Sequence, residues 1–411
     1  MNAGERDATG GGISWWGGGV FSLLFFLFPV LACAGFPEDA SGCDDAASCA
    51  TASGEAGAGI ASSAAASRPS SETARARERL LAYLKGLGSR PAKKLLSGQR
   101  VDRIEGPRAL AEFREISSAT GGVLPAIMGY DFSVRNDAAP YESYDALVSH
   151  WNAGGLVHFN WHAANPANGN VWKWPLREPR FASLADVYTP GNPIYDNFRF
   201  QMSRVADRIR LLEDSGVVIT FAPFHEANNH NPRTPFWWDG RPPEEYKALW
   251  KYLYEYLVVE RGLSNIVWVF AQTRFFDVTE YYPGDDYVDV VGIDYYPVDG
   301  RVDGYDAVTA GALAAYDTLR SEYPSKPFAF TELGLCLLPG GGEGGRSDEA
   351  CSGLDVRPIV EDISVYFPET VWWMTWDDEH YDFGLGKQRN VDLLLGDPRV
   401  VVLSDEPSAA R

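Results

Sequence analysis

Eight short apolar runs punctuate the chain between residues 93 and 376: KKLLSGQ (93–99), VLPAIMGYDF (123–132), LVHFNWH (156–162), VVITFAPFHE (217–226), NIVWVFAQT (265–273), VDVVGIDYY (288–296), KPFAFTEL (326–333) and TVWWMTW (370–376). Each is rich in β-branched and aromatic residues and hydrophobic on both alternating faces, the pattern of a strand buried on both sides. Between them lie segments with apolar residues three and four apart. NFRFQMSRVADRIRLLEDSG (197–216) and EEYKALWKYLYEYLVVERG (244–262) read as amphipathic helices stopped by Gly216 and Gly262. Eight buried strands alternating with helical crossovers predict an α/β fold, a single (β/α)8 TIM barrel over residues 76–411, with its site at the C-terminal strand ends.

Polar and aromatic residues gather where that architecture puts a site. Strand three ends in His158-Phe159-Asn160-Trp161-His162, strand four in His225-Glu226, strand six in Asp294-Tyr295-Tyr296, strand seven in Glu332 and strand eight in Trp376-Asp377. A carboxylate at the mouth of a buried strand needs a reason. Two facing carboxyls are the working parts of glycosidic bond cleavage, one protonating the leaving oxygen while the other attacks the sugar carbon or activates water. The competing reading is a pair of glutamates held in surface ion pairs.

The 42 residues 34–75 are rich in Ala, Ser and Gly without an apolar period, as in a flexible linker. Ahead of them, VFSLLFFLFPVLA (20–32) is short for a membrane span and ends in small residues, so residues 1–33 read as a signal peptide and the protein as secreted. Val30-Leu31-Ala32-Cys33 resembles a bacterial lipobox, which would make Cys33 a lipid anchor in the membrane. Among the five cysteines, Cys336 and Cys351 flank the glycine-rich LLPGGGEGGRSDEA. A disulfide between them would stabilise that loop by roughly 3 kcal/mol.

Composition narrows the partners. A formal charge of −20 excludes a phosphate backbone as ligand but leaves a neutral polysaccharide untouched. The 13 Trp, 20 Tyr and 21 Phe include PFWWDG (235–240) and VWWMTW (371–376), where rings beside polar groups could stack on sugars. No cysteine has zinc-site spacing, and on one strand His158 and His162 would lie about 13 Å apart, too far to share a metal. No metal, cofactor or nucleic acid is expected, and the chain is expected to be a monomer.

Taken in order, LLSGQ, GGLVHFNWHAANP, FHE followed by FWW, VGIDYY, TELG and the late MTW resemble glycoside hydrolase family 26 over about residues 90–395. The resemblance implies a retaining hydrolase with Glu226 as acid/base and Glu332 as nucleophile. It also implies His162, Trp237 or Trp238, Tyr295 and Trp376 around the cleaved sugar, with His225 supporting them. Tyr295 could hydrogen-bond Glu332, and Asn160, Asn165 and Asn228 could bond sugar hydroxyls. The implied activity is an endo-β-1,4-mannanase, with β-glucanase, β-1,3-xylanase or a non-catalytic carbohydrate-binding barrel as alternatives. One departure stands out: the chain reads EANNHNPRTPFWWDG where the family usually has Met, Asn and Gly after the HE pair, closer to its FWWG segment.

Overall fold

The computed structural model describes residues 71–105, 108–132, 144–173, 175–230, 235–274, 277–296, 310–335, 353–377 and 384–405. The proposed signal peptide with Cys33, almost all of the proposed linker, and Cys336 and Cys351 lie outside these residues.

All eight expected strands form: β1 (Leu95–Arg100), β2 (Ile127–Asp131), β3 (Leu156–Trp161), β4 (Ile219–Pro223), β5 (Ile266–Thr273), β6 (Val290–Tyr295), β7 (Phe328–Leu333) and β8 (Thr370–Thr375). Each is parallel to the next, and β1 pairs with both β2 and β8, so the sheet closes on itself. Every residue of these strands is buried, which explains why they read as continuous apolar runs without alternation. A two-residue strand, β9 (Val400–Val401), adds to β1 at the barrel's N-terminal end, where the sequence reading placed nothing.

The crossovers are α2 (Ala111–Thr120), α3 (Asp145–Asn152), α4 (Ala185–Tyr188) with α5 (Pro193–Asp214), α6 (Pro243–Tyr254), α7 (Ala310–Glu322), α8 (Pro358–Tyr366) and α9 (Val391–Leu395). Local chemistry sets their ends. Asn192 accepts the Tyr195 N–H at 3.0 Å and Pro193 opens α5, while Gly216 (φ 76°) and Gly262 (φ 64°) take the left-handed turns that end the segments read as helices. Between β5 and β6 the described residues hold a 3₁₀ turn, Asp285–Tyr287, and no α-helix. Aromatic packing fills the space instead, with Tyr282 stacked on Tyr323 (centroids 3.9 Å) and set edge-on to Phe270.

The helix α1 (Ser71–Leu87) corrects the expected linker, whose last residues are helical. Its apolar stripe of Ala76, Leu80, Leu84 and Leu87 is buried. Each fully buried leucine contributes about 2 kcal/mol. The helix crosses the N-terminal mouth of the barrel. Arg77 donates to the carbonyl of Ile266, at the start of β5, and pairs with Asp289, just before β6, both at 2.5 Å. At its far end Gly88 lies against Glu369, ahead of β8. In between, Tyr83 lines a small cavity with Leu96, Ala126, Leu156, Val401 and Val402. The floor is thus plugged, and the opposite mouth is left for chemistry.

Candidate active site

The residues at the C-terminal mouth come from six strands. Along β3, His158, Asn160 and His162 alternate onto one face and climb the barrel interior. His158 stays deep, with Nδ1 2.9 Å from the Thr220 hydroxyl, and burial lowers its pKa to about 4. Asn160 donates to Glu332 Oε1 at 2.8 Å. At the rim, His162 Nδ1 lies 2.5 Å from Asp131 Oδ2, and its ring stands edge-on to His225 with centroids 4.7 Å apart. A carboxylate accepting from Nδ1 selects the tautomer whose lone pair is on Nε2.

Glu332 sits in β7 and is 4% exposed. The parallel ladder slips here. Ile293 of β6 pairs with Phe330 but Asp294 pairs with Glu332, leaving Thr331 as an extra residue that re-aims the carboxyl. Besides Asn160, Glu332 accepts the Tyr296 hydroxyl at 2.9 Å, and His225 Nε2 approaches it to 3.6 Å. These two donors favour its ionised form, against the burial that pushes its pKa well up.

Asp294 went unassigned in the sequence reading, although a buried acid at a strand end is itself a signal. It is 2% exposed, accepts the Thr331 hydroxyl at 2.5 Å through Oδ1, and its Oδ2 is buried without a hydrogen-bond partner. Burial and the neighbouring Glu226 push its pKa well up and favour its protonated form. His225, Asp294 and Glu332 bring ligand-type atoms within 4.8 Å of one another. His225 is neutral there, its pKa driven far down by burial and by the adjacent His162.

Glu226 follows β4 in a tight turn, with φ 58°. A non-glycine residue in this left-handed region costs about 1–2 kcal/mol, and Phe224 (φ 50°) shares the strain. Backbone bonds hold it: Glu226 N–H donates to Ala271 O at 3.1 Å, Tyr246 O–H to Phe224 O at 2.9 Å and Trp238 Nε1–H to His225 O at 2.8 Å. Burial, helped by Asp239 and opposed by Arg274, raises the Glu226 pKa to about 7.

One expected contact is corrected. The tyrosine bonded to Glu332 is Tyr296; Tyr295 alternates to the other side of β6, fully buried, with the Arg274 guanidinium 4.7 Å from its ring centroid. Trp237 and Trp238 are both closed to solvent and spend their indole N–H groups on Ala163 O and His225 O. The aromatic that meets the two histidines is Phe236, stacked on Trp238 at 4.6 Å and 5.5 Å from His162. Trp376 keeps its place at the rim, 5.7 Å from the His162 ring, with the buried Arg100 guanidinium 4.4 Å from its own centroid. The three asparagines are engaged within the protein. Asn160 serves Glu332, Asn165 caps the 3₁₀ turn Pro166–Asn168, and Asn228 is buried against β5.

A closed (β/α)8 barrel with glutamates at the ends of its fourth and seventh strands, among histidines and aromatic rings, defines a glycoside hydrolase. The model of glycosyl hydrolase family 26 matches residues 68–320. Mannan endo-1,4-beta-mannosidase of Bacillus subtilis strain 168 is 30% identical over 315 residues, covering 72% of this chain and 78% of that one. Mannan endo-1,4-beta-mannosidase A and B of Caldalkalibacillus mannanilyticus is 27% identical over 316 residues, covering 72% and 55%. The solved structure of Bacillus subtilis mannanase man26 superposes with a TM-score of 0.64 at 26% identity, over 79% of this chain and 92% of that one. The chain belongs to glycosyl hydrolase family 26.

Proposed function

We propose that the protein is a retaining endo-β-1,4-mannanase in which Glu332 is the nucleophile and Glu226 the acid/base. The observation that carries the assignment is the unequal treatment of the carboxyls. Burial raises both, but Glu332 accepts hydrogen bonds from Asn160 and Tyr296 that favour its anion, while Glu226 is raised to about 7 and so is protonated at mildly acidic pH. In the first step the Glu332 carboxylate attacks the anomeric carbon, the bond to the leaving oxygen breaks, and the Glu226 proton passes to that oxygen. The Glu226 carboxylate then takes a proton from water, whose oxygen attacks the anomeric carbon and displaces Glu332. Retention follows from two inversions.

Support for the mannan substrate comes from the names of the relatives, and the endo mode from theirs as well. His162, with its lone pair on Nε2, and Trp376 are the side chains best placed to meet the cleaved sugar. The leader and cysteine pattern support secretion, a lipid anchor at Cys33 and a Cys336–Cys351 disulfide as parts of the same reading. The test is hydrolysis of linear mannan, glucomannan, lichenan, carboxymethylcellulose and β-1,3-xylan at equal mass, with NMR of the first product anomer and Glu332→Ala as the inactive control. Mannan-derived oligosaccharides with retained configuration are expected. Fastest cleavage of lichenan or β-1,3-xylan overturns the substrate, binding of mannan without turnover revives the non-catalytic barrel, and an inverted first product overturns the nucleophile.

A further inference from the structure

Strand β4 is hydrogen-bonded to β5 only as far as the pair Phe221 and Trp268, yet β5 runs on to Thr273. Its last residues would face open space on that side were it not for the turn that carries Glu226. Glu226 N–H reaches Ala271 O, and two residues later the chain engages β5 again through a side chain. The Asn228 carboxamide accepts the Thr273 N–H at 2.9 Å and donates to Thr273 O, also at 2.9 Å, with a further contact to Asp277 O at 3.3 Å. Its own N–H donates to Gln272 Oε1 at 3.0 Å. The side chain exchanges both bonds with one residue, as a directly opposed residue does in an antiparallel ladder. It takes the place of the peptide that β4 no longer supplies.

We propose that Asn228 is a positioning residue for the acid/base step, clamping the turn so that Glu226 holds its left-handed backbone and its line to the leaving oxygen. The inference rests on the assignment of Glu226 above. Asn228 is fully buried, so it acts on the substrate only through that turn. The site requires a donor and an acceptor on one short side chain. Aspartate would set a carboxylate oxygen against the carbonyls of Thr273 and Asp277, and alanine leaves the Thr273 N–H and C=O without these partners.

A displaced general acid betrays itself in which leaving groups suffer. Asn228→Ala and the milder Asn228→Ser are compared with Glu226→Ala and the unaltered enzyme, using aryl β-manno-oligosides with phenol and 2,4-dinitrophenol leaving groups and thermal melts of each variant. The phenyl substrate needs protonation at its leaving oxygen; the dinitrophenyl substrate does not. For both asparagine variants kcat/KM on the phenyl substrate is expected to fall about tenfold to a hundredfold, with less than about a threefold change on the dinitrophenyl substrate. Equal losses on both substrates, or no loss on either, with Glu226→Ala showing the leaving-group contrast, overturn the role of Asn228. If Glu226→Ala shows no contrast, the assignment of Glu226 fails instead. Should Asn228→Ala not fold, Asn228→Ser is read by the same criteria.

Discussion

The two glutamates differ in what their surroundings ask of a proton. Glu226, raised to about 7 chiefly by burial, must be protonated to act as the acid, so kcat/KM falls as pH rises through about 7. Asp239 adds to that elevation because its negative charge opposes a second one nearby. Asp239→Asn is therefore expected to move the basic limb of the pH–kcat/KM profile to lower pH, read with a soluble manno-oligosaccharide; an unmoved limb would remove Asp239 from the account. Glu332 must be ionised to attack. Burial and the carboxyls of Asp294 and Glu226 raise its pKa too, so the acid limb lies above the ordinary carboxylate range. The places of both glutamates were legible in the sequence because each follows a buried run. The choice of Tyr296 over Tyr295 was legible in principle, since strand alternation puts Asp294 and Tyr296 on one face. What alternation could not reveal is the slip at Thr331, which decides which group on β6 meets Glu332.

At the scale of elements, TELG and VGIDYY are parts of one packing arrangement. A methyl group at Gly334 would lie 2.0 Å from Tyr296 Cδ1, so the glycine after Glu332 is what lets the tyrosine ring pass and reach the carboxylate. Gly334→Ala is expected to push the ring away and lower kcat by about one to two orders of magnitude, with KM much less affected. Tyr296→Phe should show the same pattern, and a Gly334→Ala enzyme with normal kcat would mean the ring can be accommodated elsewhere. The strands themselves were fully readable because burial on both faces leaves an uninterrupted apolar signature. The elements that escaped were those whose reason is tertiary. Helix α1 starts inside a stretch of linker-like composition and is held by the barrel floor, β9 consists of two valines paired to β1, and the β5–β6 connection is packed by tyrosines where a helix was expected.

For the whole molecule, two buried histidines tie part of the stability to pH. His150 and His158 are buried and neutral, with pKa values pushed down to about 4 by burial from an ordinary value near 6.5. The unfolded chain takes up protons at these sites from about pH 6.5 downward while the folded one does not until about pH 4. Their contribution to stability is thus complete above about 6.5 and lost as pH falls toward 4. These two sites are expected to lower the melting temperature as pH falls across that window, against the buried carboxyls with raised pKa, which act the other way, and His158→Gln, which keeps a hydrogen-bonding side chain without a titrating ring, should make the acid-side slope less steep than in the unaltered protein even if it lowers stability at neutral pH. A slope unchanged by the substitution would place the acid sensitivity elsewhere.

Helix α1 lies across the end of the barrel remote from Glu226 and Glu332, tied there by Arg77. Whatever precedes Ser71 is therefore joined to the back of the enzyme. A bead or a second domain joined through that end would be attached on the side of the barrel away from the mouth that carries both glutamates, leaving that mouth clear of the joint.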